Sequence, residues 1–152
     1  MEYEESLEYI ANFPRFKKEP SLEEMKKLLE RLGNPQEKLR SINVAGTNGK
    51  GSVGAFLESV IKSGGRTVGR FVSPFVFEYL ETFTLNSKNI SPDDYAECVI
   101  SVKNAVTELN KENIYPTAFE AETAIAFLFF KKYAKRFEKV NSLYSSLMIF
   151  KK

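Results

Sequence analysis

The chain has no histidine, no tryptophan and a single cysteine among its 152 residues. Without an imidazole, proton transfer near neutral pH would fall to a shifted carboxylate or lysine. A Ser-His-Asp hydrolase and a His-ligated zinc site are both excluded within the chain. One cysteine, Cys98, permits no intrachain disulfide, which suits a reducing compartment, and its place among the apolar residues of a predicted helix reads as packing. Neither sign of charge prevails, since 22 Lys and Arg against 20 Asp and Glu leave +2. That is too small to argue for a nucleic-acid partner by electrostatics alone, and none is expected. Long hydrophobic runs are missing as well: the longest, residues 124–130, falls far short of the roughly 20 that cross a bilayer. The start, Met-Glu-Tyr-Glu-Glu, lacks the basic and apolar regions of a secretory leader. No membrane partner is expected, and the reading is a soluble, cytoplasmic protein.

What is present suits a folded chain. The hydrophobic share of 43% supports a core, the length fits one domain or part of one, and no internal repeat or low-complexity segment interrupts it. Residues 4–11 suggest a short helix. Ser21 and Glu24 form a capping-box pattern ahead of Leu22, Met25, Leu28, Leu29 and Leu32, an amphipathic helix expected to pack on a sheet and to stop at Gly33 and Pro35. Residues 39–45, with Ile42, Val44 and Ala45, read as a buried strand. Val53, Phe56, Leu57, Val60 and Ile61 form the apolar face of a following helix that stops at Gly64-Gly65. Residues 67–72 make a second strand, so strand, helix and strand suggest a parallel βαβ unit with both strand ends on one rim.

Farther on, residues 75–90 hold aromatics without a clean period and are expected to form a long structured loop. Ser91-Pro92-Asp93-Asp94 marks a helix start carrying Tyr95, Val99, Val102, Val106 and Leu109. Thr117 and Glu120 repeat the capping-box pattern before a very apolar helix, with Phe119, Ala124, Phe127, Leu128 and Phe130, that ends near Lys131 and needs burial on more than one side. Residues 135–152 carry no clear signal.

One constellation implies chemistry: Gly46, Thr47, Asn48, Gly49, Lys50, Gly51 and Ser52. Small residues let backbone amides turn inward around an anion. A strand delivers the loop and a helix begins within it at Lys50, so unpaired N–H groups and the helix dipole both favour phosphate there. Lys50 would reach the terminal phosphates and offset charge developing during phosphoryl transfer. The common P-loop pattern places a glycine where Val44 stands and has no residue between its Lys and Ser, whereas Gly51 intervenes here. The competing reading is a plain glycine-rich turn with an exposed lysine.

The run Val-Ala-Gly-Thr-Asn-Gly-Lys-Gly-Ser at 44–52 resembles the nucleotide loop of folylpolyglutamate and dihydrofolate synthases, within the Mur ligase superfamily. Ser73-Pro74-Phe75, Glu81-Thr82-Phe83, Asn86, Ile90-Ser91 and Thr117-Ala118-Phe119-Glu120 stand in the order of that family's other motifs, as do Tyr9-Ile10, Pro14, Phe16, Leu22 and Leu32-Gly33-Asn34-Pro35. The resemblance implies an α/β fold, a P-loop type parallel sheet with flanking helices, as an incomplete Mur-ligase-like ATP-binding domain. Residues 1–134 would be the partial ATP-binding domain and residues 135–152 a divergent tail, with the C-terminal ligase domain absent.

It further implies an ATP-dependent ligase acting through an acyl phosphate, in which the γ-phosphoryl group passes to a substrate carboxylate, ADP leaves, and the amine of an amino acid then displaces phosphate to form an amide. Residues 46–52 would bind ATP, Lys50 would be catalytic, Ser73 would help hold Mg2+, and Phe119 and Glu120 would border the pterin of folate or dihydropteroate, with L-glutamate as the incoming amine. The chain departs from the family at Thr82, where an arginine is usual, at Asn43, where histidine is common, and at 15–21, which lack the usual glycines. Family segments supplying a magnesium-bridging glutamate do not occur, so a truncated, inactive ligase piece is expected, monomeric or self-associating. The alternative is a non-catalytic nucleotide-binding or partner-binding module, motivated by a helix over 119–130 left partly uncovered. A small P-loop kinase fits less well, because no acceptor-site or lid pattern is visible.

Overall fold

A computed structural model describes residues 1–15, 21–137 and 146–151. In chain order the elements are α1 (Tyr3–Ala11), α2 (Glu23–Arg31), β1 (Arg40–Val44), α3 (Lys50–Ser63), β2 (Thr67–Val72), β3 (Phe83–Leu85), β4 (Lys88–Asn89), α4 (Pro92–Lys111), α5 (Ala118–Phe137) and β5 (Ser146–Lys151), with 3₁₀ turns at Pro35–Lys38 and Tyr79–Thr82. They fall into two compact units, Met1–Gln36 with Pro92–Phe129, and Glu37–Ser91 with Phe130–Lys152.

The first unit is helical, with α1 and α2 both packed on α4. Spacings of four and three along α4 put Tyr95, Val99, Val102, Val106 and Leu109 on one stripe, and all five are buried, as is Cys98. Tyr3 of α1 meets Tyr95 edge to face, with ring centres 5.8 Å apart. The expectation that α2 lies on a sheet is corrected: its buried Leu28 and Leu29 belong to a unit with no strand among the described residues, and its neighbour is α4. The expected capping box at Ser21 does not form either. Leu22 occupies the cap position, 70% exposed, and the Ser21 hydroxyl accepts from the nearer Glu23 amide at 3.1 Å. A short serine side chain reaches two residues on more readily than it closes a full box.

At α5 the box does form. The Thr117 amide donates to Glu120 Oε2 at 2.7 Å and the Glu120 amide donates to Thr117 Oγ1 at 3.3 Å. The helix runs past the expected end near Lys131 to Phe137. Ala124, Ile125 and Ala126 are all fully buried; three consecutive positions cannot share one face of a helix, so α5 is covered on more than one side.

The second unit holds a five-stranded sheet in the order β1-β5-β2-β3-β4. β5 runs parallel to both β1 and β2, while β3 and β4 continue from β2 as antiparallel strands. Three expectations change here. β1 and β2 are parallel but not adjacent, because β5 lies between them. β1 is an edge strand whose only buried residue is Val44. Residues 75–90 include a 3₁₀ turn and the short β3–β4 pairing, where strands of three and two residues are too brief to show an alternating pattern. β5 arises from the run Leu147-Met148-Ile149-Phe150, whose lack of alternation hides a strand from a periodicity argument. The rest of the signal-free tail, residues 138–145, lies outside the described residues, as do 16–20.

Val44 of β1 and Val68 of β2 form one buried cluster, with Ile42, Leu57 and Ile61 packed against them. Of the expected apolar face of α3, only Leu57 and Ile61 point to that core. Val53, Phe56 and Val60 are 47%, 72% and 69% exposed, and the buried residues of α3 are Gly54 and Glu58. Gly69 on β2 lies under the Phe130 ring, which a Cβ would approach to 2.4 Å.

Candidate functional site

β1 ends at Val44 and α3 starts at Lys50, so the glycine loop spans the gap between a strand end and a helix start, as the sequence indicates. Val44 and Val72 both pair with Lys151. The loop after β1 and Ser73 after β2 therefore leave the sheet at the same rim, about 10 Å apart across two strand spacings. Gly46 and Gly49 take φ of 148° and 76°, values that side chains with a Cβ rarely adopt, and Gly49 is the residue from which α3 begins. The first helical hydrogen bond runs from the Val53 amide to the Gly49 carbonyl at 2.9 Å. Among the described residues, no protein group accepts from the amides of residues 46–52.

The loop is exposed from Gly46 to Gly49, and Lys50 is half-buried. Lys50 Nζ curls back and donates to the carbonyls of Gly46 at 2.5 Å and Thr47 at 3.0 Å. Its ammonium thus sits across the loop rather than on a carboxylate, and a phosphate arriving at the amides would meet it there. Ser52 is exposed in the first turn of α3.

Ser73, half-exposed, precedes a cis peptide bond to Pro74. Its hydroxyl is a hard oxygen donor of the kind Mg2+ takes. Among the described residues, no group of three or more His, Cys, Asp or Glu side chains stands ready for a metal. Ser73 would be one hard oxygen ligand for such an ion.

Phe119 and Glu120 belong to the other unit, in the first turn of α5. Phe119 is 41% exposed. The Glu120 carboxylate is buried and accepts from both the amide and the hydroxyl of Thr117 at 2.7 and 2.9 Å, so its visible task is to cap the helix.

Two arrangements in the same unit as the loop are visible only in the structure. The Glu81 carboxylate accepts from the amides of Val76 and Phe77 at 3.2 and 3.1 Å, holding a bend whose Phe75, Val76 and Phe77 are exposed. Glu58 is buried on α3 beside Arg70 of β2; the only hint in the sequence is a charged residue set between Leu57 and Ile61.

A parallel strand that leads through a glycine loop onto a helix start, in a sheet with flanking helices, defines the class, an α/β protein. No protein-family model matches the chain. Over 134 residues, 88% of its length, it is 40% identical to the dihydrofolate synthase/folylpolyglutamate synthase of Bacillus subtilis, of which this stretch is 31%. It is 34% identical over 134 residues to the folylpolyglutamate synthase of Lacticaseibacillus casei, covering 87% of this chain and 31% of that one. Among solved structures, the apo form of the L. casei enzyme superposes with a TM-score of 0.86 at 31% identity, covering 99% of this chain and 35% of the other. A folylpolyglutamate synthase complex with AMPPCP and folate gives 0.84 at 33% identity, with 99% and 35% covered. The homologues and structural neighbours of this chain are thus folylpolyglutamate and dihydrofolate synthases, ATP-dependent folate–glutamate ligases, as the motif order implied. The chain spans about a third of the length of these relatives.

Proposed function

We propose that the chain is the phosphate-binding portion of a folate–glutamate ligase and that residues 46–52 take the phosphates of ATP. The observation that carries this is the set of loop amides without a protein acceptor, at the start of α3. Such amides, with the positive end of the helix dipole behind them, favour an anion. Lys50 leaves its carbonyl partners and pairs with the terminal phosphates, as a charge-assisted contact outweighs neutral ones. The Ser73 hydroxyl would help hold a magnesium ion brought by the nucleotide, and that ion would supply charge neutralisation at the phosphoryl group. Phe119 borders the pterin of folate or dihydropteroate, Glu120 fixes the helix start that presents it, and L-glutamate is the incoming amine. The protein works in the cytoplasm as a monomer.

Turnover by the chain alone is not expected, because the described residues provide no cluster of acids for a metal. Calorimetric titration with AMPPCP and Mg2+ should show saturable binding, and incubation with ATP, Mg2+, glutamate and a reduced folate should release no ADP above background. Absence of AMPPCP binding would remove the proposal; sustained ADP release would overturn the second part.

A partner-binding role is favoured by a different observation from the one the sequence suggested. The helix α5 is well buried, with Ala121, Ala124, Ile125, Ala126, Phe129 and Phe130 at most 3% exposed, whereas the uncovered apolar stripe is Val53, Phe56 and Val60 of α3. Sedimentation across a concentration series tests it: a monomer throughout leaves the stripe without a copy of this chain as partner.

A further inference from the structure

The helix that starts at the glycine loop, α3, packs Leu57 and Ile61 inward but is otherwise inverted. Its outward face carries Val53, Phe56 and Val60, while Glu58 is only 3% exposed. A surface helix ordinarily buries the first kind and exposes the second. A carboxylate is kept out of water without large cost only when it is paired and hydrogen-bonded. Two groups meet it. Arg70 of β2 places Nε 3.4 Å from Glu58 Oε2, and the Ser87 hydroxyl donates to Oε1 at 2.8 Å. Arg70 Nε is buried without a hydrogen bond of its own, so the carboxylate is the charge that compensates it. One turn along α3, Lys62 Nζ donates to the Ser87 hydroxyl at 3.0 Å and to the Asn86 carbonyl at 3.2 Å. Asn86 is itself tied to β2: its amide donates to the Val68 carbonyl at 2.8 Å and its side-chain oxygen accepts from the Val68 amide at 2.9 Å.

Three elements therefore converge on one buried carboxylate: α3, β2 and the turn between β3 and β4. Glu58 lies about two turns beyond Lys50 on the same rigid helix. Arg70 stands on β2 about 10 Å before Ser73. The ion pair braces the rod that carries the loop against the strand that carries Ser73. Apolar contacts such as those of Leu57 and Ile61 are non-directional and let a helix slide. The pair of Arg70 with the buried Glu58 carboxylate, together with the hydrogen bond from Ser87, favours one placement of α3 over β2.

We infer that Glu58 and Arg70 are positioning residues that set the spacing between the amides of 46–52 and the Ser73 hydroxyl, and with it the coupling between nucleotide and its magnesium ion. This deepens the phosphate-binding proposal and rests on it. The test compares amide NMR spectra of the full chain and Glu58→Gln, which keeps the volume and the acceptor for Ser87 but removes the charge. Signals of residues 46–52 and of Ser73 should move together with those around residues 58, 70 and 87. With AMPPCP, Glu58→Gln should bind about tenfold more weakly in Mg2+, and lose clearly less affinity in EDTA, where Ser73 has no ion to hold. If the loop and Ser73 signals coincide with the parent while only the surroundings of residue 58 shift, or if affinity falls equally with and without Mg2+, the pair merely stabilises the fold and the inference is overturned. If the parent takes up no AMPPCP yet its loop and Ser73 signals move in Glu58→Gln, the brace stands and the phosphate reading of the loop falls. Should Glu58→Gln not fold, Glu58→Leu with Arg70→Leu removes both charges together and carries the same readout.

Discussion

Gly69 shows how tightly single positions are fixed. A Cβ there would lie 2.4 Å from the Phe130 ring, so Gly69→Ala must displace an aromatic side chain. The expected cost is about 1–3 kcal/mol, read from urea denaturation with an unchanged slope. Tyr9 bears on pH. Burial raises its hydroxyl above the ordinary value of 10.0, its ring meets Phe13 edge to face at 5.2 Å, and Lys103 Nζ lies 5.3 Å from the ring centre. The folded state therefore holds this proton to higher pH than the unfolded state does. The stability so gained is complete below pH 10 and is lost as pH rises through the folded value. Denaturation above pH 10 should show a steeper decline in the parent than in Tyr9→Phe; equal declines would mean that burial does not act on this group.

At the scale of elements, the α5 cap is a discrete contribution. Thr117→Ala removes the hydroxyl that accepts from Glu120 and donates to it, and should lower stability by about 1–2 kcal/mol in thermal and chemical unfolding alike. Phe56→Lys, at a position 72% exposed, should change stability by no more than about 0.5 kcal/mol. A large loss there would show that the stripe on α3 is covered.

That contrast marks the boundary of what local sequence conveys. The limits of α3 are legible because Gly49 and Gly64 sit at its two ends and neither favours continuing a helix. Which of its faces turns inward is not legible, since Glu58 finds its partners on β2 and at Ser87, far away in sequence. β2 is legible from its place directly after the loop helix, whereas its true neighbour β5 is not, because parallel pairing joins distant segments and leaves no mark on either. The candidate site divides the same way. The glycine loop is visible as a motif, and it lies between the end of β1 and the start of α3, where the motif puts it. Ser73 became a candidate only through family resemblance, and the Glu58–Arg70 brace appears only in three dimensions.

For the molecule as a whole, the parallel strands β1, β5 and β2 bring two separate stretches of chain, the loop of residues 46–52 and Ser73, to one rim of one sheet. No helix among the described residues is long and apolar enough to cross a membrane. The chain superposes on folylpolyglutamate synthase chains about three times as long, and phosphate binding is the part of their chemistry proposed for it.

Titration of the parent and of Lys50→Ala with AMPPCP and Mg2+, followed by the amide signals of residues 46–52, tests this most directly. Saturable shifts centred on those amides in the parent, with affinity lower by at least about tenfold in Lys50→Ala, are expected. Unmoved loop signals at millimolar nucleotide, or equal affinity without the lysine, would contradict the assignment of this loop to ATP.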